Sequence, residues 1–432
     1  MRRSVDLHYS DKKKNRSEAV GQFSPWNVGD IRWSLKAVTP DWLPADGRIY
    51  KRQEWASLAD YLAPLELDTS KQAGQLLPTL WQQSNATDIF HEGTIYTIAE
   101  GENVLVATGM RYHRGTYQGI IATSPDGIFW TEQPAARDIF GESRVYDLLW
   151  APLPNGRSTF IAGGRDGVLA TSPDGVLWTR RDTGLIGVVQ GIAFDPDRHI
   201  LVVLDSLGNA STSQDALHWA TPTRCYIGSD SITGNPLAWG YTDTGEGMFV
   251  AGDWGGRFAV SHDGITWTTF SNTDAGLDAD FQVRSITWGQ TGERKGVFLA
   301  AGDNGMVAMS TDGRTWSGYN TGLKRAFSTL CVPASQNKNL FLVAGYGPNK
   351  LAVSEDGRTW TFVPAFDAAF HSVSVYALAC AKGKLLAAGT EATLITLPAF
   401  QDTIKRRYDR NKYFSVPSLP VHGLARPYIK AV

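Results

Sequence analysis

Six aspartates share one setting in this sequence, the phrase S-x-D-G-x-x-W: Asp126 with Trp130, Asp174 with Trp178, Asp263 with Trp267, Asp312 with Trp316, Asp356 with Trp360 and, in a degenerate copy without the glycine, Asp215 with Trp219. Recurrent carboxylates invite a catalytic or ligand-binding reading. The setting favours a structural one, because Asp accepts hydrogen bonds from amides two residues on and Gly supplies the positive φ of a tight hairpin. Other chemistry is sparse. His113, in "GMRYHRGTYQG", is a candidate base or metal ligand, although a solvated loop histidine is the simpler reading. The eight histidines are dispersed, with no H-E-x-x-H, no G-x-S-x-G elbow and no P-loop. Cys225, Cys331 and Cys380 lack metal spacing and read as reduced thiols packed as small hydrophobes. The sequence therefore assigns no catalytic residue, no metal ligand and no cofactor.

The elements that position these residues follow one grammar. An apolar strand ("RVYDLLWAP") is followed by a second ending in glycine ("TFIAGG"), a third ("GVLATS"), the S-x-D-G turn, the Trp and a polar fourth strand. Successive tryptophans are 41 to 49 residues apart, and four short strands per such unit is the arithmetic of a β-propeller blade. The copy at Ser213 carries Ala216 for Gly and His218 for Thr, which predicts a looser turn. First strands beginning near Thr94, Arg144, Val188, Ser231, Val283, Phe327 and Val375 give seven blades. The seventh stops at "EATLITLPAF" without its fourth strand, while Trp81 precedes Trp130 by 49 residues, in repeat phase. Residues 79–85 are thus expected to supply the missing outer strand and close the ring. The predicted organisation is mainly β: a seven-bladed propeller over 79–400, inserted into a small α+β domain built from 1–78 and 401–432.

Composition agrees with many short strands: 44 Gly and 15 Trp in 432 residues, with 19% charged. A net charge of −2 gives no global basic field for nucleic acid. No apolar run approaches the ~20 residues of a membrane span, and the N-terminal stretch lacks a signal-like apolar core. A soluble chain made in a cytoplasm is the expectation.

The loops between second and third strands, and between blades, share the propeller face opposite the D-G turns. Insertions gather there: 109–119, 252–257 and 345–350, with 221–234 and 362–372 between blades. Tyr112, His113, Arg114, Tyr117, Trp254, Arg257 and Tyr346 are the candidate binding residues, of types that contact sugars or proteins. The plainer alternative is that these side chains pack their own loops.

The S-x-D-G-x-T-W phrase resembles the Asp-box (BNR) repeat of sialidases and other propellers. Sialidases need three arginines around the substrate carboxylate, a Tyr–Glu nucleophile pair and an acid–base Asp. The R-I-P motif that carries their first arginine is missing here, so no enzyme is expected. The chain ends resemble the phage tail-collar domain of tail fibres and baseplate proteins, through Gly29, Ile31, Trp33, Pro40, Trp42, Leu43, Asp46, Gly47, Arg48 and Tyr50, then Phe414, Val416, Pro417, Leu419, Tyr428, Ile429, Lys430 and Ala431. A helix-like "RQEWASLADYLA" sets Trp55, Leu58, Tyr61 and Leu62 on one face. In that family the two halves are normally close in sequence, and an inserted propeller explains why over 300 residues separate them here. The resemblance implies a virion protein of the phage tail (tail fibre, tail tip or baseplate), made in the host cytoplasm. It would join other tail proteins through the collar, in which family members often form trimers. It would bind a host surface glycan or protein through the outward propeller loops, with no membrane insertion. Two alternatives stand beside it: a sialidase-like glycan-cleaving enzyme, and a cellular Asp-box assembly factor similar to those that aid photosystem assembly.

Overall fold

Middle strands such as Thr159–Gly164 and Leu169–Ser172 are buried along their whole length, whereas the outer strand Thr179–Arg181 is largely exposed. A sheet whose middle strands are covered on both faces needs a neighbour on each side. The computed structural model describes residues 81–397 except 155–157, 226–235, 292–294, 334–338 and 373, together with backbone strands at 31–34, 42–44, 49–51, 413–415 and 426–430. It contains seven four-stranded antiparallel sheets arranged as blades. Their innermost strands are Thr94–Glu100, Val145–Ala151, Val189–Asp195, Leu237–Tyr241, Val283–Thr291, Arg325–Pro333 and Val375–Ala381, blades one to seven. In blade four the innermost described strand is Leu237–Tyr241, and the expected start near Ser231 lies outside the described residues.

The core consists of seven interfaces between blades, and each holds one of the repeat tryptophans. Trp130 packs between blades seven and one, Trp178 between one and two, Trp219 between two and three, and Trp267 between three and four. Trp316, Trp360 and Trp81 fill the remaining three. An indole is large enough to bridge two sheets, which is why this position repeats.

The turn before each tryptophan is closed by its own side chains. In blade four Ser261 Oγ donates to Asp263 at 3.0 Å and accepts from the Gly264 amide at 2.8 Å. Asp263 Oδ1 accepts the amides of Ile265 and Thr266 at 2.8 and 2.7 Å, and Trp267 Nε1 donates to the Gly264 carbonyl. Gly264 has φ +74°, and a Cβ there would stand 2.4 Å from Val202 of blade three. The copy at Ser213 corrects the expectation of a looser turn. Ala216 adopts φ +60°, its amide reaches Ser213 Oγ at 2.9 Å, and Asp215 accepts both following amides at 2.8 Å. Ser and Asp close the loop without help from the side chain at position 216. Trp219 Nε1 is buried with no partner, as is Trp130 Nε1 in a copy that keeps its glycine. Burial works against ionisation of the six turn carboxylates, but their amide and hydroxyl donors outweigh it. All six are held below the ordinary carboxylate range.

Blade seven takes its outer strand from the other end of the array. Gln82–Gln83 pairs antiparallel with Leu394–Leu397, Gln83 opposite Ile395. Trp81 meets Phe366 edge-on at 5.2 Å, and Gln83 donates to the Ala369 carbonyl at 2.8 Å. Asn85 then exchanges two hydrogen bonds with the backbone of Trp130, tying the closing strand to blade one.

The chain divides into two compact units, Leu67–Asp409 and a second made of Met1–Glu66 with Arg410–Val432. In the second, Arg426–Lys430 lies between Ile31–Ser34 and Trp42–Pro44, and Ile49–Lys51 pairs with Tyr413–Ser415. The helix-like stretch 52–63, the D-G-R turn at 46–48 and residues 416–419 lie outside the described residues.

Asp263→Ala should lower stability at neutral pH by about 1 kcal/mol, the usual worth of such turn hydrogen bonds. Because the six carboxylates titrate lower in the folded state, their contribution is complete above about pH 4 and fades as pH falls through their folded values. Urea melts at pH 7 and pH 3 should show a steep acid loss that is shallower in the variant. Trp81→Ala should cost about 2 kcal/mol as a partly buried large-to-small change at the ring closure, read from the same melts.

Candidate functional site

Six innermost strands share one irregularity. Near the start of each, pairing with the second strand skips one residue: Tyr96, Tyr146, Gln190, Arg284, Phe327 and Tyr376 in blades one, two, three, five, six and seven. A bulge of this kind re-aims a side chain that regular pairing would bury in the sheet. The residue after the bulge often staples the next blade. Asp147 accepts the Ile192 amide at 2.7 Å, Ser285 pairs with Thr329 at 2.9 Å, and Ser328 accepts the Leu378 amide at 3.1 Å. Innermost strands are neighbours around the ring, so the re-aimed side chains meet at one mouth of the central channel.

They form a continuous arc. Tyr96 lies 5.4 Å from Tyr146 and 5.8 Å from Tyr376, and Tyr376 stacks on Phe327 at 4.9 Å. The Arg284 guanidinium sits 5.1 Å over Phe327 and 4.1 Å over Trp254. At the other end Arg144 lies 4.1 Å over Tyr117, which meets Tyr112 edge-on at 5.3 Å. Arg284 is nearly buried and is held by both carboxylate oxygens of Asp303, which Arg325 also approaches at 3.9 Å. Burial pushes the phenols of Tyr96, Tyr146 and Tyr376 up, so all three remain neutral hydrogen-bonding groups. Rings, hydroxyls and guanidinium groups in one arc can stack on a flat ligand and hold an acid group. Among the described residues no cluster of His, Cys, Asp and Glu could hold a metal ion.

The sequence-derived candidates divide over this face. Tyr112, His113, Arg114 and Tyr117 stand on the blade-one hairpin, whose ladder runs out to His113 opposite Thr116. Its turn is Arg114–Gly115, both at positive φ, and Tyr112 and Tyr117 are 54% and 41% exposed. Trp254 and Tyr346 are half-buried instead of free: Trp254 lies under Arg284, and Tyr346 under Lys324 at 5.1 Å. Arg257 pairs with Asp253, the residue that closes its own turn at 3.0 Å. The bulge residues and Arg144 went unnoticed in the sequence. Their signal is a bulky or polar residue following the first small or β-branched position of each unit, as in "VYD", "VQG", "VRS", "AFS" and "VYA". The three cysteines form no disulfide, and the buried Cys225 donates its thiol to the Gly208 carbonyl at 3.2 Å.

No protein-family model and no curated protein matches the chain. Solved structures match its shape. The propeller "YCF48 bound to D1 peptide" superposes with a TM-score of 0.53 at 15% identity, covering 74% of this chain and 97% of that one. A catalytically inactive virginiamycin B lyase from Staphylococcus aureus, with quinupristin, gives 0.53 at 9% identity, covering 73% and 98%. The chain has a seven-bladed β-propeller fold. At these identities the likeness is one of fold alone.

Asp303→Ala should strand the buried Arg284 cation and cost about 3 kcal/mol, as broken buried pairs do. Adding Arg284→Leu should recover much of that loss. Thermal melts of the single and double variants check this, and equal stability of the two would mean that the pair does not hold the mouth together.

Proposed function

We propose that this protein is a structural component of a phage tail, a fibre, tail-tip or baseplate protein that binds the host surface through the channel mouth and the blade-one hairpin. The reading is carried by how the collar-like residues meet. Leu43 lies opposite Ile429, Trp42 opposite Lys430 and Tyr50 opposite Phe414. The two resembling stretches, more than 300 residues apart, thus share backbone ladders, which two unrelated tails would have no reason to do. Gln82 and Thr396, near the two ends of the described propeller, lie opposite each other, and the face away from the D-G turns carries the aromatic and cationic arc. A rigid ring is a suitable platform for such contacts, because its side chains are pre-positioned.

Mass spectrometry of purified particles should find the chain in the virion, and the isolated protein should compete with particles for host cells. Tyr112→Ala with Tyr117→Ala should reduce adsorption at least tenfold, about 1.4 kcal/mol, while particles assemble normally. Normal adsorption with failed assembly would make the mouth a docking point for another tail protein. Release of sugar from host envelopes by the purified protein would favour the glycan-cleaving alternative.

A further inference from the structure

Most cations around the rim have a carboxylate partner. Arg284 has Asp303, Arg257 has Asp253, and Arg111 and Arg137 share Glu132. Arg144 is different. It is half-buried, and among the described residues no carboxylate lies within ion-pair distance of it. Its surroundings are phenolic: the face of Tyr117 at 4.1 Å, and the hydroxyl groups of Tyr96 and Tyr146, with which its guanidinium interacts. Partial burial works against the charge, but the phenolic neighbours outweigh it, so Arg144 stands as a cation able to receive an anion. Tyr117 covers one face of the guanidinium and the Tyr96 and Tyr146 hydroxyls take part of its N–H edge; the remaining N–H groups can meet a carboxylate. Beside that edge stand two half-exposed tyrosine rings, Tyr112 and Tyr117, set edge-to-face at 5.3 Å. At Tyr146, Arg165 and Asp166 act with opposite sign.

We propose that Arg144, Tyr117, Tyr112, Tyr96 and Tyr146 form a binding site for a carboxylated sugar, with the carboxylate on Arg144 and the pyranose against the tyrosine rings. The proposal rests on the host-binding reading and names the class of receptor. Hydroxylated ring faces suit the C–H face and hydroxyls of a pyranose, while an apolar peptide side chain would leave the phenols unpartnered.

The test is calorimetric titration of the full-length protein with a panel of uronate- and sialate-bearing oligosaccharides, each paired with its carboxyl methyl ester. At least one acid should bind at least tenfold more tightly than its ester. Arg144→Gln should abolish that preference, and Arg144→Lys, which keeps the charge but not the fork, should restore only part of it. Tyr117→Ala should weaken binding several-fold with Arg144 in place, and because Tyr117 is exposed this variant tests the site even if Arg144→Gln folds poorly. Equal affinity for acids and esters across the panel would overturn the proposal, as would an acid preference that survives Arg144→Gln in a folded protein. So would binding only of peptides with a free C-terminal carboxylate, uncompeted by the sugars. An acid preference in a protein missing from particles would sink the tail reading alone. No preference in a protein that still blocks adsorption would sink the sugar site alone.

Discussion

A propeller blade cannot stand by itself, because its middle strands are apolar on both faces and are covered only when another blade lies on each side. Every interface must therefore be made, including the one between the first and last blades. Here the last blade is completed by two residues of strand, Gln82 and Gln83, with the Trp81 indole on its blade-six side and Asn85 bonded to blade one. Trp81 occupies between blades six and seven the place that a D-G-turn tryptophan occupies in each of the other six interfaces. One pairing, with a strand from the opposite end of the array, thus completes the core.

The closed ring gives the channel mouth its character. A bulge at the same register in six blades turns one side chain per blade out of the sheet, and the following residue of several blades bonds to the next one. The same local irregularity therefore locks blades together and lines the mouth. Because the bulged positions carry Tyr, Phe, Arg and Gln in place of a uniform residue, the ring is regular in backbone and asymmetric in chemistry. The arc runs from blade two through one, seven, six and five to Trp254 of blade four, with guanidinium groups near both ends. A surface of that kind discriminates by shape and charge together.

Much of the fold was legible in the sequence because propeller repeats announce themselves through turns. Asp, Gly and Trp at fixed spacing gave the blade period, and the first-strand phrases gave seven blades. The chemistry of the turn was also readable, except at Ala216. There the substitution suggested looseness, yet Ser213 and Asp215 close the turn without help. The mouth was harder to read. Tyr96 or Phe327 in an apolar strand looks like core, and only strand pairing reveals that one residue is skipped. Trp254 and Tyr346 were found on the right face, but the cations that cover them, Arg284 and Lys324, come from other blades or loops and so leave no mark in local sequence. The blade-one hairpin was the clearest case, since its alternating Tyr and Arg residues extend past the length that the core requires.

The most direct measurement is hydrogen–deuterium exchange of the intact protein with and without host-cell envelope. Slowed exchange confined to residues 94–97, 111–118, 144–147, 253–257 and 325–328 is the result that a receptor-binding channel mouth predicts. Slowed exchange at the D-G turns around Asp174, Asp263 and Asp356, with the mouth unchanged, would contradict it.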